Sequence, residues 1–251
     1  MNVCWAALHT MTPKKRVQYN VEVDWSALPR HTNTLTGISP DVESLRFRRE
    51  KSSHRGISQF TRLRRLVAFC VNQDFLEEVS QLPNLEFLYI SEMTAPDPEC
   101  LKHCERLRHL VIKGGTKVHS LSWLSLLPPL ESLLLEHFKQ TTDLSPLKSL
   151  SGLKAFGFEG SMWTSQRVDT FIPITRLPHL EALFLTNCRP TSDGLAPLMQ
   201  LHHLRYLEIA AFYPDADFLA VRRALPNLEC EWFQQIDKYG SIKAAIKART
   251  T

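Results

Sequence analysis

The chain has little of what would hold together a small secreted protein or anchor a membrane protein. Its 251 residues include six cysteines, which are too few and too irregularly spaced for a disulfide framework. No stretch reaches the roughly 18 consecutive apolar residues of a membrane helix. The segment Met1–Arg16 lacks the apolar run and the small-residue cleavage site of a secretory signal. We therefore expect a reduced, cytoplasmic protein that does not enter a membrane.

The net charge is small and glycine is scarce. The formal net charge is +4, there are 9 glycines, and 43% of the residues are hydrophobic. A charge balance this small does not by itself select an acidic or a basic partner. Chains of this length bury about 70–75% of the surface of the unfolded chain. A hydrophobic core can therefore stabilise the protein without disulfides or metals.

Motifs that would indicate catalysis are missing as well. The sequence has no phosphate-binding glycine loop and no nucleophile-elbow pattern. Cys100 and Cys104 are spaced by one helical turn, but no second pair completes a zinc site, so we expect them to pack on the convex side. The sequence thus predicts neither an enzyme nor a cofactor.

One pattern is abundant instead. The order apolar-x-x-apolar-x-apolar recurs nine times, and successive copies start 21 to 27 residues apart, the ninth being degraded. These spacings fall in the range of about 20–29 residues that is typical of leucine-rich repeats. The copies begin at Val42, Leu63, Leu85, Leu107, Leu130, Leu153, Leu180, Leu204 and Leu228.

Each copy predicts a short strand, because its last two apolar positions alternate with variable ones. The phrase Leu-Pro-x-Leu precedes several of these strands, as in Leu82–Leu85 and Leu177–Leu180. Proline ends a helical segment and favours extended geometry before it, so the phrase marks the return to the strand. We predict an α/β solenoid: a curved leucine-rich-repeat horseshoe with one parallel sheet on the concave side and short helical or irregular segments on the convex side.

The run Leu-Ser-Pro-Leu-Lys-Ser-Leu-Ser-Gly-Leu at residues 144–153 resembles the short repeats of internalin-type proteins, and the resemblance extends from Val42 to Phe233. It implies a curved solenoid that recognises proteins. One feature departs from that family, which usually places asparagine in the turn after each strand. We expect apolar packing to stabilise these turns instead. The residues here are Val71, Met93, Gly115, Phe138, Ser161, Cys188 and Phe212.

The predicted organisation has four parts. Residues 1–15 are disordered or weakly ordered, 16–41 form an N-terminal cap, 42–233 are the repeats, and 234–251 form a C-terminal cap and basic tail. In the N-terminal cap, Val17, Tyr19, Val21 and Val23 alternate with other residues and predict a capping strand. Trp163 lies in the longest interval between copies, which predicts an insertion at the rim or on the convex side. Met162 and Trp163 either extend the interface or fill a gap between repeats, and we expect the second.

The variable strand positions point out of the concave face, and several hold large apolar groups that we expect to be exposed. Such patches often mark interaction sites. We predict a monomer that binds a protein partner there, as an inhibitor or immunity-type protein would. Ala155 and Gly157 leave a shallow trough for a bulky partner element. The candidate binding residues are Arg46, Arg65, Phe69, Phe87, Tyr89, Val111, Lys113, Leu134, Glu136, Ala155, Gly157, Phe184 and Tyr206.

A basic cluster supplies the alternative function. Between Arg46 and Arg65 there are eight basic residues and one acidic residue, Glu50. Such a cluster can contact phosphates or steer an acidic partner, so the alternative is a surface for nucleic acid or another acidic partner. A solvated face explains most charge runs, and no nucleic-acid motif accompanies this one. Salt dependence separates the two functions, since phosphate binding weakens steeply with salt.

Overall fold

The computed structural model describes residues 13–161 and 163–250. Within them, nine strands form one parallel sheet in which spatial order follows sequence order. Its strands are β1 (Ser44–Arg48), β2 (Arg65–Phe69), β3 (Phe87–Ser91), β4 (His109–Lys113), β5 (Ser132–Glu136), β6 (Ala155–Glu159), β8 (Ala182–Leu185), β10 (Tyr206–Ile209) and β11 (Glu229–Cys230). A second parallel pair in the described residues joins β7 (Gln166–Val168) to β9 (Cys188–Pro190).

The register of the large sheet stacks each repeat on the same positions of the next. Leu66 pairs with Leu88, Leu88 with Leu110, and Leu110 with Leu133. All four leucines are fully buried and belong to one continuous core. The predicted curved leucine-rich-repeat solenoid, with one parallel sheet, is confirmed.

Short helical segments return the chain along the convex side, as predicted. Most are single 3-10 turns: Ile57–Gln59, Glu99–His103, Ser122–Leu126, Ser145–Ser149, Ile172–Arg176 and Ala196–Gln200. Two are longer α-helices, α2 (Gln73–Ser80) and α3 (Asp215–Ala224). Helix α2 starts where the Asn72 side chain accepts a hydrogen bond from the Phe75 N–H, a standard N-cap.

The strands end in left-handed turns that are packed by apolar side chains. A residue of positive φ directly follows β2, β3, β4 and β5: Cys70, Glu92, Gly114 and His137. Five of the seven residues named above for these turns are buried: Val71, Met93, Gly115, Phe138 and Cys188. The expected apolar packing is therefore present in these turns. The expectation of apolar packing is wrong for Phe212, whose side chain is exposed. The Arg189 guanidinium lies 3.7 Å from the centroid of its ring.

A ladder of alternating charge follows the first apolar position of every copy. Its members, from the first repeat to the last, are Glu43, Arg64, Glu86, Arg108, Glu131, Lys154, Glu181, Arg205 and Glu229. Each backbone N–H donates to the carbonyl of the preceding member at 2.8–2.9 Å, so neighbours lie side by side. Arg64 pairs with Glu86 at 2.7 Å and Lys154 with Glu131 at 2.8 Å. Like charges opposite each other on adjacent strands are destabilising, and the alternation avoids every such contact.

The C-terminal end is helical earlier than the repeat pattern indicates. Strand β11 stops at Cys230, and helices α4 (Glu231–Tyr239) and α5 (Ile242–Thr250) follow. A ninth strand running through Phe233 is therefore wrong. The physical reason is Trp232, whose indole N–H donates to the Ile209 carbonyl at 2.7 Å while its ring is buried. Helix α4 thereby covers the open end of the leucine core.

The N-terminal region is not the predicted strand. Residues Pro13–Gln18 form helix α1, and the chain then crosses the concave face in an irregular extended path. The prediction that residues 1–15 are weakly ordered falls mostly on residues 1–12, which lie outside the described residues. Pro13–Lys15 belong to α1. The first strand-like pairing of this region with the sheet is a bridge between Thr32 and Phe47 on the edge strand β1.

Trp163 is 87% exposed, so the prediction that it fills a gap between repeats is wrong. Close contacts between backbone atoms hold the loop that carries Trp163. A Cβ at Gly160 would lie 2.3 Å from the Thr164 carbonyl oxygen, and the Ser161 hydroxyl accepts the Trp163 and Thr164 N–H groups. Because the close backbone contacts fill the space, the indole points outward.

The core predicts a clear contrast between two leucines. Leu133 is fully buried in the ladder, whereas Leu126 on the convex side is 46% exposed. Leu133→Ala should lower the free energy of unfolding by ~2–5 kcal/mol because it leaves a cavity. The matched control Leu126→Ala should stay within ~0.5 kcal/mol of wild type. Chemical denaturation measures both, and equal losses would show that Leu133 is not a core residue.

The charge ladder predicts a salt-dependent defect. Glu131→Lys would place three cations in a row with Arg108 and Lys154, and we expect it to destabilise the fold by ~1 kcal/mol at low salt. The loss should shrink as salt screens the repulsion. Glu105→Lys, an exposed change outside the ladder, is the control. Denaturation curves at two salt concentrations test this, and a Glu131→Lys loss that equals the control's at low salt argues against the ladder.

Candidate functional site

The concave face carries a second apolar cluster, separate from the leucine core. Because side chains alternate along a strand, the positions between the core leucines all point to this side. Two residues from outside the repeats, Val21 and Val23, are buried in the same cluster. The buried strand residues of the cluster are Val67, Phe87, Tyr89, Val111, Leu134, Ala155, Ala182, Phe184 and Tyr206.

The cover is the N-terminal segment, which we define as residues 13–28. Tyr19 meets the edge of the Phe184 ring on β8 with centroids 6.4 Å apart. Further along, Trp25 meets Tyr89 on β3 at 5.5 Å in a T-shaped contact. The segment therefore crosses the sheet in the direction opposite to the order of the repeats. Such aromatic pairs contribute about 0.5–1.5 kcal/mol beyond the area that they bury.

Arg16 anchors the beginning of the segment between two carboxylates. Its Nη2 lies 2.6 Å from Oε1 of Glu159 and 2.5 Å from Oε1 of Glu208. The Glu159 side chain is only 4% exposed. The guanidinium also lies over the Phe184 ring, 5.3 Å from its centroid. Arginine suits this place because its planar fork bonds two carboxylates and stacks on a ring at once.

The pKa values describe a fully charged pair in a buried place. Burial raises the pKa of Glu159, but the charge and hydrogen bonds of Arg16 outweigh it and bring the pKa below its usual value. Burial lowers the pKa of Arg16, and Glu159 and Glu208 raise it well above its usual value. Removing one partner of a buried ion pair leaves an uncompensated charge and costs about 3–5 kcal/mol.

Lys113 holds the middle of the segment. Its Nζ lies 2.8 Å from Oε2 of Glu22 and 3.7 Å from Oε2 of Glu136, and it approaches the Tyr89 ring at 5.3 Å. Burial lowers the pKa of Lys113, but Tyr89, Glu22 and Glu136 raise it above its usual value. Burial raises the pKa of Glu136, against the opposing charge of Lys113. A cation is therefore fixed at this row.

The face and the segment have opposite polarity. The acidic end of the face, Glu159 and Glu208, holds Arg16, and the more basic row at Lys113 holds Glu22. Complementary charges arranged in order fix the direction and the register of a bound chain.

The segment is held by side chains rather than by strand pairing. Within the described residues, no backbone-to-backbone hydrogen bond joins residues 13–28 to the sheet. The Ser132 hydroxyl donates to the Asn20 carbonyl at 3.1 Å. Strand-like pairing starts later, where the Thr32 N–H donates to the Arg46 carbonyl at 3.0 Å.

The predicted binding residues lie together on this face, but their expected exposure is wrong in this arrangement because the segment covers them. Eight are buried: Phe87, Tyr89, Val111, Leu134, Ala155, Gly157, Phe184 and Tyr206. Four are half-buried, namely Arg46, Phe69, Lys113 and Glu136, and Arg65 is exposed. The predicted trough at Ala155 and Gly157 belongs to the covered area, and Gly157 contacts Leu134 so closely that a Cβ would lie 2.9 Å from its side chain.

The basic cluster is spread over several surfaces. Arg48 pairs with Glu92 at 2.7 Å, and Arg64 pairs with Glu86 in the charge ladder. Arg62 lies 3.3 Å from Asp41, with both side chains exposed. Arg46 and Arg65 lie over aromatic rings of the concave face, Arg46 over Trp25 at 5.0 Å and Arg65 over Phe87 at 4.5 Å. The basic residues from Arg46 to Arg65, which are close together in the sequence, thus do not form one continuous basic surface.

Sequence reasoning missed the residues that occupy the face: Arg16, Glu22 and Trp25. The alternation of Val21 and Val23 is visible in the sequence, but by itself it predicts a strand at the end of the sheet. The available signal was charge: Lys14, Lys15 and Arg16 precede an acidic stretch, and the strand positions Glu159 and Glu208 have no basic neighbour in their own rows.

The described residues contain no helix that is long and apolar enough to cross a membrane. Nor does this part of the chain group three or more His, Cys, Asp or Glu side chains as a metal site would. Burial raises the pKa of Cys104 to about 12 and that of Cys100 to about 11, so both thiols stay protonated at neutral pH. Cys104 packs in the leucine core.

Comparison with known proteins identifies the fold. No protein-family model matches the chain, and no curated protein matches it. Among solved structures, internalin C2 of Listeria monocytogenes is 19% identical with a TM-score of 0.50, over 69% of this chain and 72% of that one. The TLR13–ssRNA13 complex is 20% identical with a TM-score of 0.51, over 76% of this chain and 28% of that one. The chain thus has the leucine-rich-repeat fold, with repeats like those of internalins.

The buried ion pair predicts how firmly the segment is held. Arg16→Ala leaves Glu159 buried beside Glu208, and we expect the segment to open, because breaking a buried pair costs about 3–5 kcal/mol. Trypsin should then cleave after Lys15 more than tenfold faster. A tenfold rise in the population of the open segment needs only about 1.4 kcal/mol, which is less than the free energy lost with the ion pair.

The control is Arg48→Ala, which removes the exposed pair with Glu92. Exposed pairs contribute about 0–1 kcal/mol, so cleavage after Lys15 should stay at the wild-type rate. Equal cleavage rates in the Arg16→Ala and Arg48→Ala chains would mean that the ion pairs of Arg16 do not hold the segment.

Proposed function

We propose that this chain is a protein-interaction module that binds an extended segment of a protein partner on its concave face. Its own residues 13–28 occupy the face when the partner is absent. The observation that carries the proposal is that this face already holds a length of polypeptide through buried ion pairs and aromatic contacts. Such a face would suit an inhibitor or immunity-type protein that acts as a monomer.

The composition of the face supports binding. Aromatic residues and arginine are enriched where protein interfaces concentrate their binding energy. Phe87 and Tyr89 on β3, Phe184 on β8 and Tyr206 on β10 belong to one apolar cluster of the face. A contiguous apolar area of this kind has to be covered, by the chain itself or by a partner. Because side chains alone hold the segment, a partner can replace it without rebuilding the sheet.

The same geometry favours a protein over a nucleic acid. Several basic residues of the Arg46–Arg65 cluster are already paired with carboxylates. The acidic end of the face, Glu159 and Glu208, would repel a phosphate backbone. One structural relative is in complex with single-stranded RNA, but phosphate binding depends on unpaired Lys and Arg along the path of the strand. The ionisable groups of the face serve ion pairs, so the proposal assigns it binding and no catalysis.

Two variants that both release residues 13–28 separate binding on the face from binding elsewhere. Arg16→Glu repels Glu159 and Glu208, so it should release the segment and leave the face empty. Ala155→Arg introduces a long side chain into the shared cluster, so it should release the segment and keep the face filled.

We would compare capture of one defined protein from the native cell by the two variants and the wild type. The proposal expects more capture by Arg16→Glu than by wild type and none by Ala155→Arg. Equal capture by both variants would place the interaction outside the concave face. Circular dichroism must show an intact repeat domain in each.

A further inference from the structure

We infer the chemistry of the partner segment from the contacts of residues 13–28, an inference that rests on the proposed function. The partner presents an arginine, an acidic residue six positions later that is flanked by apolar residues, and a large aromatic residue three positions after the acid. In this chain these are Arg16, Glu22 between two valines, and Trp25. The bound segment runs from β10 toward β2.

The acidic end of the face requires a guanidinium. Arg16 donates to both oxygens of Glu159, at 2.6 and 3.0 Å, and its Nε donates to Glu208 at 3.0 Å. Both carboxylates contact the same Nη2, and one of them is nearly buried, so a shared cation is what keeps both ionised. A lysine offers one point charge and no planar surface for the Phe184 ring, so arginine is selected.

The row at Lys113 requires a carboxylate. The ammonium lies between Glu22 of the segment and Glu136 of the sheet. A neutral residue in place of Glu22 would remove its closest anion, and a basic residue would place two cations together in a buried area. The apolar residues on both sides of the acid point into the cluster, as Val21 and Val23 do. An alternation of apolar, acidic and apolar residues fits an extended chain.

The last position requires an aromatic ring. Trp25 stands against Tyr89 at 5.5 Å and Phe69 at 6.3 Å, and the Arg46 guanidinium lies over it at 5.0 Å. Two rings and one cation around a single site are the surroundings that tryptophan fills best. Trp25 itself remains partly exposed, so the site also accepts a ring that enters from solvent.

A synthetic peptide with the sequence of residues 13–28 tests the inference on the full-length Arg16→Glu chain, whose own segment is released. We expect saturable one-to-one binding. The peptide variants Arg16→Glu and Glu22→Lys should each bind roughly 30-fold or more weakly, because the first breaks the buried pair with Glu159 and the second the partly buried pair with Lys113. The Ala155→Arg chain, whose face is filled, should not bind the peptide.

A charge exchange makes the test specific. The chain that carries Arg16→Glu and Lys113→Glu together should prefer the Glu22→Lys peptide over the unmodified one, which reverses the order of the two affinities. If the Arg16→Glu chain does not fold, the same peptides are measured on an Arg16→Ala chain instead. Equal affinity for all three peptides, absence of binding, or a segment that stays docked after Arg16→Glu would each overturn the inference.

These outcomes are separate from those of the proposed function. If the Arg16→Glu chain captures a protein that the Ala155→Arg chain does not, but the peptide variants bind equally, then the face binds a partner of different chemistry. If the two chains capture alike, the proposed function itself is wrong, whatever the peptides do.

Discussion

In-register stacking of parallel strands is the constraint on which the rest of this structure depends. Neighbouring strands lie about 4.8 Å apart, so any residue at a given repeat position lies beside its copies in the adjacent repeats. Leucines at the inner positions become one continuous core. Charges at the position after the first leucine would become a row of repulsion, and they alternate in sign instead. The stacking of repeats thus constrains the sign of the charges as well as the packing of the leucines.

The same constraint explains why the concave face is covered. A parallel sheet is usually buried on both faces. Here the convex side is closed by short helical segments, while the concave positions form a second apolar stripe that includes Phe87, Tyr89 and Phe184. Residues 13–28 close that stripe with two valines, two aromatic rings and the charged groups of Arg16 and Glu22. A surface that needs a cover, and whose cover makes no strand pairing, is suited to exchanging that cover for a partner.

The sequence alone was sufficient for the repeats, because a leucine ladder is a local pattern repeated at a constant interval. It also placed the candidate binding residues on one face, since strand alternation fixes that side. The location of the N-terminal segment depends on contacts between residues more than 140 positions apart, such as Arg16 with Glu159, and no periodicity reports them. Trp163 and the last repeat failed for a similar reason, because backbone contacts at Gly160 and the burial of Trp232 override the local pattern.

The central claim is that a partner and residues 13–28 compete for one surface. Hydrogen exchange tests it most directly, by following the amides of residues 13–28 in the wild-type chain while an isotope-labelled copy of that segment is added as a peptide. The account predicts that these amides lose protection as the peptide saturates the chain, while the strands β2 to β8 keep theirs. Saturable binding that leaves residues 13–28 as protected as before would contradict it, because the peptide would then occupy a different site.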